Sequence, residues 1–295
     1  MGDDTTFVDL RPALFGVAYR MLGSVVEAED VVQEAYLRWA SVDASAIASP
    51  RAYLTTVVTR LSIDYLRSAR VRRETYIGQW LPEPVAVEDP DSREFMVGSG
   101  SSGDELADSL SLAFLVLLEE LAPAERAAFL LREVFGYDYA AIARTLERSE
   151  PACRQLVSRA RRRVGNRRQR FDADREQGLE LTRRFVVACG TGDIDGLLSL
   201  LAQDVVVWTD GGGQAKAAPR PVVGPWRAAR WLVHVAKSYT DATIKEATLN
   251  GQPGLVFAAD GAVTAAVVLD VLGGKIAGIR VVANPDKLAR LRTGE

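Results

Sequence analysis

This 295-residue sequence has only two cysteines, one histidine and no lysine ahead of Lys216. Cys153 and Cys189 show no zinc-ligand spacing, and with His234 as the single histidine no metal site is expected. Nor do two cysteines make a disulfide framework, so a reducing compartment is expected. Long apolar runs are missing too. Stretches such as LAFLVLL at 112–118 are far too short to cross a bilayer, and the opening MGDDTTF is polar and acidic, without the apolar core of a secretory signal. No membrane association, no cofactor and a cytoplasmic location are therefore expected. A formal net charge of −3 excludes little, because the charge is segregated. Arginines crowd residues 60–73 and 148–170, while 83–108 is mostly acidic. The length favours two or three domains over one.

Residues 1–75 read as a first helical unit. Ala28, Val31, Val32, Ala35, Tyr36 and Trp39 recur at helical spacing and leave Asp30, Gln33 and Glu34 on the opposite side. Pro50 is placed to open a long helix, RAYLTTVVTRLSIDYLRSARVRR, that ends in arginines. Residues 76–104 break every period with prolines, acids and the run GSGSSG, and read as a linker. Within it WLPEP, at 80–84, sets a Trp and a Leu in a proline-stiffened segment suited to docking. Residues 105–170 are helical again, with a long helix through Leu121 and another after Pro123. From 176 to 295 one or two helices precede VVVWTDGGG, a further helix over 224–240, four β-rich runs and a short closing helix. NGQPG, DG and GG turns separate the runs.

The arginine-rich stretch resolves into chemistry when Tyr139–Arg163 is read as two helices and a tight turn at Glu147–Arg148. Ser149 suits an N-cap, and Pro151 falls in the first turn. Cys153, Leu156, Val157, Ala160 and Val164 form one apolar stripe, leaving Arg154, Gln155, Ser158, Arg159, Arg161 and Arg162 outward or flanking. That is a helix-turn-helix layout whose second helix enters the major groove. Arg154, Gln155 and Ser158, early on the exposed face, suit base edges, where Arg and Gln offer bidentate hydrogen bonds. Later arginines suit phosphates. A solvated basic helix shares the arginines but does not need the turn, cap and stripe together.

LFGVAYRMLGSVVEAEDVVQEAYLRWA followed by PRAYLTTVVTRLSIDYLRSARVRRE resembles region 2 of bacterial sigma factors, and residues 105–170 resemble region 4. Joined without regions 1 or 3, they resemble an extracytoplasmic-function (ECF) RNA polymerase sigma factor. The resemblance implies that Asp30, Gln33 and Glu34 meet the clamp helices of the polymerase's largest subunit. It also implies that Tyr53, Thr59, Arg60 and Asp64 face the −10 element, with Arg67, Arg70, Arg72 and Arg73 on phosphates. Arg154, Gln155, Ser158, Arg159 and Arg162 are the candidates for the −35 element. Tyr53 stands where many relatives carry Trp, with packing as its competing role.

Sigma factors of this class end near residue 170, so 176–295 is an addition. It resembles a SnoaL-like, NTF2-like α+β cone. The expected fold is multidomain: two all-α units, a linker and the cone. The ECF group bearing this extension has motifs matching WLPEP, DGGG, NGQPG and NPDKL. The resemblance thus implies a regulatory contact through Trp80, Leu81, Pro82, Asp210, Asn250, Gly251, Pro253, Asn284, Pro285 and Asp286, with WLPEP docked near the cone. SnoaL-like domains include enzymes, and Trp208, Asp210, Trp226, Trp231 and His234 are candidates to line a pocket, with Asp210 or His234 as acid or base. A lone helical His and regularly spaced tryptophans are more often packing residues, and fold does not prove activity. A small ligand in the cone without catalysis is the stronger variant. The expected function is promoter recognition with core RNA polymerase, without chemistry of its own. The rivals are a repressor or activator independent of polymerase, and a DNA-binding enzyme.

Overall fold

A computed structural model describes residues 4–74, 76–86, 109–168 and 175–291. The GSGSSG run falls outside them. Among the described residues the chain divides into two units. One holds 4–74, 109–110 and 114–167, and the other holds 76–86, 111–113 and 168–291. The linker segment 76–86 therefore belongs with the C-terminal part of the chain.

The first unit opens with α1 (Asp4–Leu22), α2 (Val25–Ala40) and α3 (Pro50–Glu74). Ser24 caps α2 by accepting from the Glu27 amide, and the α2 stripe Val25, Ala28, Val31, Val32, Ala35 and Trp39 is buried. Trp39 is fully enclosed and meets Tyr53 of α3 at 6.1 Å between ring centroids. On α3, Leu54, Val57, Val58, Ile63 and Leu66 are buried.

Four more helices follow: α4 (Leu112–Glu119), α5 (Pro123–Phe129), α6 (Tyr139–Leu146) and α7 (Glu150–Arg168). α4 begins at Leu112, after a turn and bend over Ser109–Ser111. Beyond α5 the helix widens to π geometry over Leu130–Val134. α6 ends on Glu147 in left-handed conformation, φ 52°, and Ser149 caps α7 by accepting from the Ala152 amide. All five residues of the α7 stripe are buried. Cys153, Leu156 and Val157 pack with Ala128, Leu131 and Ile142.

Buried cations fasten the two helical halves of this unit. Arg20 of α1 donates to the Gly16 carbonyl and to Ser109, and its guanidinium lies 5.5 Å from the Phe135 ring centre. Arg126 of α5 donates to the Met21 carbonyl at 2.6 Å and to Glu119 at 2.7 Å. Burial pulls the Arg20 pKa down to about 10 and that of Arg126 to about 9.

The second unit places α8 (Arg175–Thr191) and α9 (Ile194–Leu200) before β1 (Leu201–Asp210), β2 (Val222–Val223), α10 (Pro225–Ala236), β3 (Thr243–Leu249), β4 (Gln252–Ala259), β5 (Ala262–Leu272), β6 (Lys275–Val282) and α11 (Pro285–Leu288). The strands form one sheet in the order β2-β1-β6-β5-β4-β3, with β1 parallel to β6 and the other pairs antiparallel. Val205, Val207, Leu255, Val267, Leu269, Ile279 and Val281 face Leu181, Phe185, Leu197, Ala229 and Leu232 of the helices in one core. This helix-first mixed sheet is the α+β arrangement expected from the resemblance to the cone. The Asn250–Gly251 corner turns on two positive φ angles, 51° and 78°, as a tight hairpin demands.

Arg126→Ala strips a buried carbonyl and a carboxylate of their donor. It is expected to lower the stability of the helical unit by about 3–5 kcal/mol in urea unfolding, beyond the effect of an exposed arginine such as Arg162→Ala.

Candidate functional site

On α7, Arg154, Gln155, Ser158, Arg159 and Arg162 are all exposed, opposite the buried stripe. They do not share one state. Arg154 pairs with Glu150 at 2.8 Å and lies 4.9 Å from the Tyr139 ring centre. Arg159 pairs with Glu125 at 3.2 Å. Arg161 grips Glu133 through two bonds, and Arg163 holds Glu125 at 2.6 Å. Glu125 is buried, with 5% of its surface exposed, so it acts as a hub joining α5 to α7. Arg159, Arg161 and Arg163, among the later arginines read as phosphate contacts, face carboxylates of their own unit while staying about half exposed. Gln155, Ser158 and Arg162 remain as an outward group with Arg154. Arg167 lies where side chains are not described.

The −10 candidates on α3 are split by burial. Asp64 and Arg67 are exposed and pair with each other at 3.1 Å. Tyr53 is half-buried against Trp39. Thr59 is corrected as a candidate: it is fully buried, its hydroxyl has no described partner, and no base can reach it in this conformation. Arg60 is already occupied. Its Nε donates to the Thr145 carbonyl at 2.8 Å, one Nη to the Arg144 carbonyl at 2.9 Å, and the other Nη meets Glu147 at 2.9 Å. Those carbonyls end α6, where unsatisfied acceptors and the helix dipole attract a cation. Beside it Thr56 and Thr145 share a hydroxyl bond of 3.0 Å, and Tyr137 donates to Thr55 at 3.0 Å. The side chains of Arg70, Arg72 and Arg73 lie outside the described residues.

Asp30, Gln33 and Glu34 stand exposed on one side of α2, with Val26 and Leu37 open beside them at 47% and 54% exposure. Glu34 holds Arg38 one turn on at 3.0 Å. An acidic face with two uncovered aliphatic side chains suits a basic partner helix with an apolar seam.

The linker docks onto the second unit around Asp210, which is wholly buried. Four donors meet its carboxylate: Tyr76 Oη at 2.5 Å, the Leu81 amide at 2.8 Å, the Gly212 amide at 3.1 Å and Lys287 Nζ at 2.7 Å. Lys287 also donates to the Leu81 carbonyl at 2.5 Å and sits 4.2 Å from the Trp80 ring centre and 5.2 Å from that of Tyr76. Burial and the Asp210 carboxylate push the Tyr76 phenol well above its usual range, so it stays protonated and donates. Asn284 donates to Tyr76 at 2.9 Å and caps α11. Gln214 donates to Asp286 at 2.9 Å, joining the DGGG turn to the NPDKL turn. A Cβ on Gly212 would meet the Asn284 amide at 2.4 Å, so this glycine is fixed by space as well as by its φ of 59°. Further along, Asn250 accepts from the Val85 amide at 2.9 Å and returns its own amide to the Val85 carbonyl at 2.8 Å. Leu81, Pro82, Glu83 and Pro84 are buried. Gly251 completes the corner, Pro253 packs toward Gly178 of α8, and Pro285 is exposed at the start of α11.

The proposed acid and base lie away from the cavity of this unit. Asp210 is held by its four donors, and His234 is exposed outside the cavity lining. Of the five candidate lining residues only Trp231 lines it; Trp208 lies under Arg280, and Trp226 is 56% exposed. Among the described residues no cluster of His, Cys, Asp and Glu suits a metal, and no helix is long and apolar enough to cross a membrane. Tyr76, Lys287, Glu125 and Arg126 escaped the sequence reading. Lys287 stood inside the quoted NPDKL motif, and a lysine in so lysine-poor a chain was the available signal.

Asp210→Ala is expected to quicken hydrogen exchange at both the Leu81 and Val85 amides. It should also cost the C-terminal unit about 3 kcal/mol by leaving Lys287 buried without its carboxylate. Asn250→Gly keeps the left-handed corner but removes one acceptor, so it should quicken Val85 alone, by about tenfold.

The model for Sigma-70 region 2 matches residues 6–72, and the one for Sigma-70, region 4 matches residues 111–164. ECF RNA polymerase sigma factor SigJ of Mycobacterium tuberculosis (strain ATCC 25618 / H37Rv) is 40% identical over 295 residues, covering 95% of this chain and 91% of that protein. A probable ECF RNA polymerase sigma factor, SigI of Mycobacterium tuberculosis (strain CDC 1551 / Oshkosh), is 33% identical over 284 residues, covering 96% and 93%. The crystal structure of Mycobacterium tuberculosis SigJ superposes with a TM-score of 0.76 at 36% identity, over 97% of this chain and 98% of that one. The likeness spans the helical unit and the C-terminal unit together. The chain belongs to the ECF sigma factors of RNA polymerase, subunits of transcription initiation.

Proposed function

We propose that this sigma factor divides promoter recognition among three helices and that its C-terminal unit controls it in cis. Asp30, Gln33 and Glu34 of α2 meet the clamp helices of core polymerase, with Val26 and Leu37 adding apolar contact. The outward group Arg154, Gln155, Ser158 and Arg162 on α7 reads the −35 element. Tyr53, Arg60, Asp64 and Arg67 on α3 serve the −10 element once Arg60 exchanges the α6 carbonyls for DNA. The exposed outward face of α7, behind a helix-turn-helix with its cap and stripe complete, carries this reading. Work with polymerase on chromosomal DNA places it in the cytoplasm.

The C-terminal unit acts by holding the linker, not by turnover. Residues 76–86 are the described part of the connection between the two DNA-reading halves, and Asp210, Asn250 and Lys287 fix them to the cone. Fixing the linker limits how far the halves separate. In support, Asp210 has no lone pair left for a substrate, and His234 is outside the cavity.

In vitro transcription with core polymerase tests both parts. Gln155→Ala, early on α7, is expected to relax preference at one −35 position by about 1–3 kcal/mol. Arg162→Ala, two turns later, should weaken all promoters alike and reduce the salt slope by about 1. Matching effects of the two on every promoter would refute the division. Deleting Asn284–Leu291 removes Lys287 and Asn284, and is expected to alter output from a cognate promoter at fixed core concentration. Unaltered output would refute control in cis.

A further inference from the structure

The C-terminal unit contains a cavity of about 430 Å³ between the sheet and the ends of α8 and α10. That volume falls in the lower part of the range for small-molecule sites. Its inner wall is apolar. Phe185, Trp231, Phe257, Val267 and Val281 surround it, and Tyr239 stands edge-on to Phe257 with centroids 5.4 Å apart. The polar groups of the wall are neutral. Burial pushes the Cys189 thiol up to about 12 and raises the Tyr239 phenol, so both keep their protons in any ordinary buffer. Lys237 is the single charged residue of the lining. It is exposed at the mouth, in the short 3₁₀ turn Lys237–Tyr239 after α10, and forms no ion pair with a described residue. The lining holds no carboxylate and no histidine, and its thiol and phenol are held protonated by burial, a wall suited to binding.

We propose that this cavity binds an anionic amphiphile, a monocarboxylate whose hydrocarbon body fills the apolar wall and whose carboxylate meets Lys237 at the mouth. Three features fit that ligand and no simpler one. An apolar interior of this size remains poor in favourable water contacts, and a hydrocarbon gains about 0.8 kcal/mol per buried methylene. An ammonium at the rim, without an ion-pair partner among the described residues, distinguishes an anion from a cation. The lining has no buried charge, so a second charge on the ligand has no counterpart. The mouth is bounded by Gly190–Gly192, and a Cβ on Gly190 would meet nothing within 4 Å. That residue therefore offers a place to plug the entrance without disturbing the core. This inference stands apart from promoter recognition, because it concerns the protein without polymerase or DNA.

Isothermal titration of the full chain with decanoate, decanol and decyltrimethylammonium, each below its micelle concentration, tests it. Decanoate is expected to saturate one site. Decanol should bind about threefold more weakly, the size of a half-exposed ion pair, and the cation more weakly still. Lys237→Gln should bring decanoate to the level of decanol. Gly190→Trp should abolish binding of all three while leaving the melting temperature unchanged; if it lowers that temperature, Ala236→Phe plugs the opposite wall and is held to the same standard. The proposal is overturned by no saturable binding, by binding that survives a folded plug variant, or by equal affinity for the three amphiphiles with Lys237→Gln without effect.

Discussion

A carboxylate taken wholly out of water must be met by donors or else accept a proton. Asp210, at the end of β1, meets four, and two of them come from the linker. The others come from its own turn and from α11, more than seventy residues later. One buried charge thus draws together three separate stretches of chain, with Lys287 as counter-ion and Trp80 and Tyr76 flanking the ammonium. Removing any one partner leaves the rest buried and unsatisfied, which is why such a cluster behaves as a unit. The linker is held by electrostatics here and by a reciprocal pair of hydrogen bonds between Val85 and Asn250, one to the Asn250 side chain, so its attachment is directional as well as tight.

The same rule sorts the arginines of the helical unit. Arg20 and Arg126 are buried and spend their donors on backbone carbonyls and a serine or a glutamate. Arg159, Arg161 and Arg163 lie on the surface but face Glu125 and Glu133. Arg60 caps the end of α6. What is left over on α7, around Gln155, Ser158 and Arg162, is a narrower surface than the arginine count of the stretch suggests. Some arginines of α7 thus fasten the helix to its own unit, while Gln155, Ser158 and Arg162 stay outward. The contacts of Arg60 tie α3 to the first helix of the helix-turn-helix.

Much of the local structure was legible beforehand because it depends on neighbours in the chain. The α7 stripe from Cys153 to Val164, the Ser149 cap, the Pro50 start and the Asn250–Gly251 corner follow from side-chain periodicity and backbone preference, and each appears as read. Thr59 shows where that reading ends. At a helical spacing it sits between Thr56 and Arg60, and only the packing of α3 against its neighbours turns its side chain inward. Trp208, Trp226 and Trp231 show the same limit on the cone. Composition marks them as pocket or core, yet one underlies an arginine, one faces solvent and one lines the cavity.

By itself the sequence determined the order of helices and strands, the caps and turns, the helix-turn-helix stripe and the segregation of basic from acidic stretches. These rest on interactions within a few residues, and they were enough to carry the resemblance to sigma factors. Only the tertiary structure decided which arginines are spoken for, that Asp210 is a docking point without access to the cavity, and that Lys287 is its counter-ion. Burial and pairing are properties of residues far apart in the chain, since a charge is silent until it is known what surrounds it.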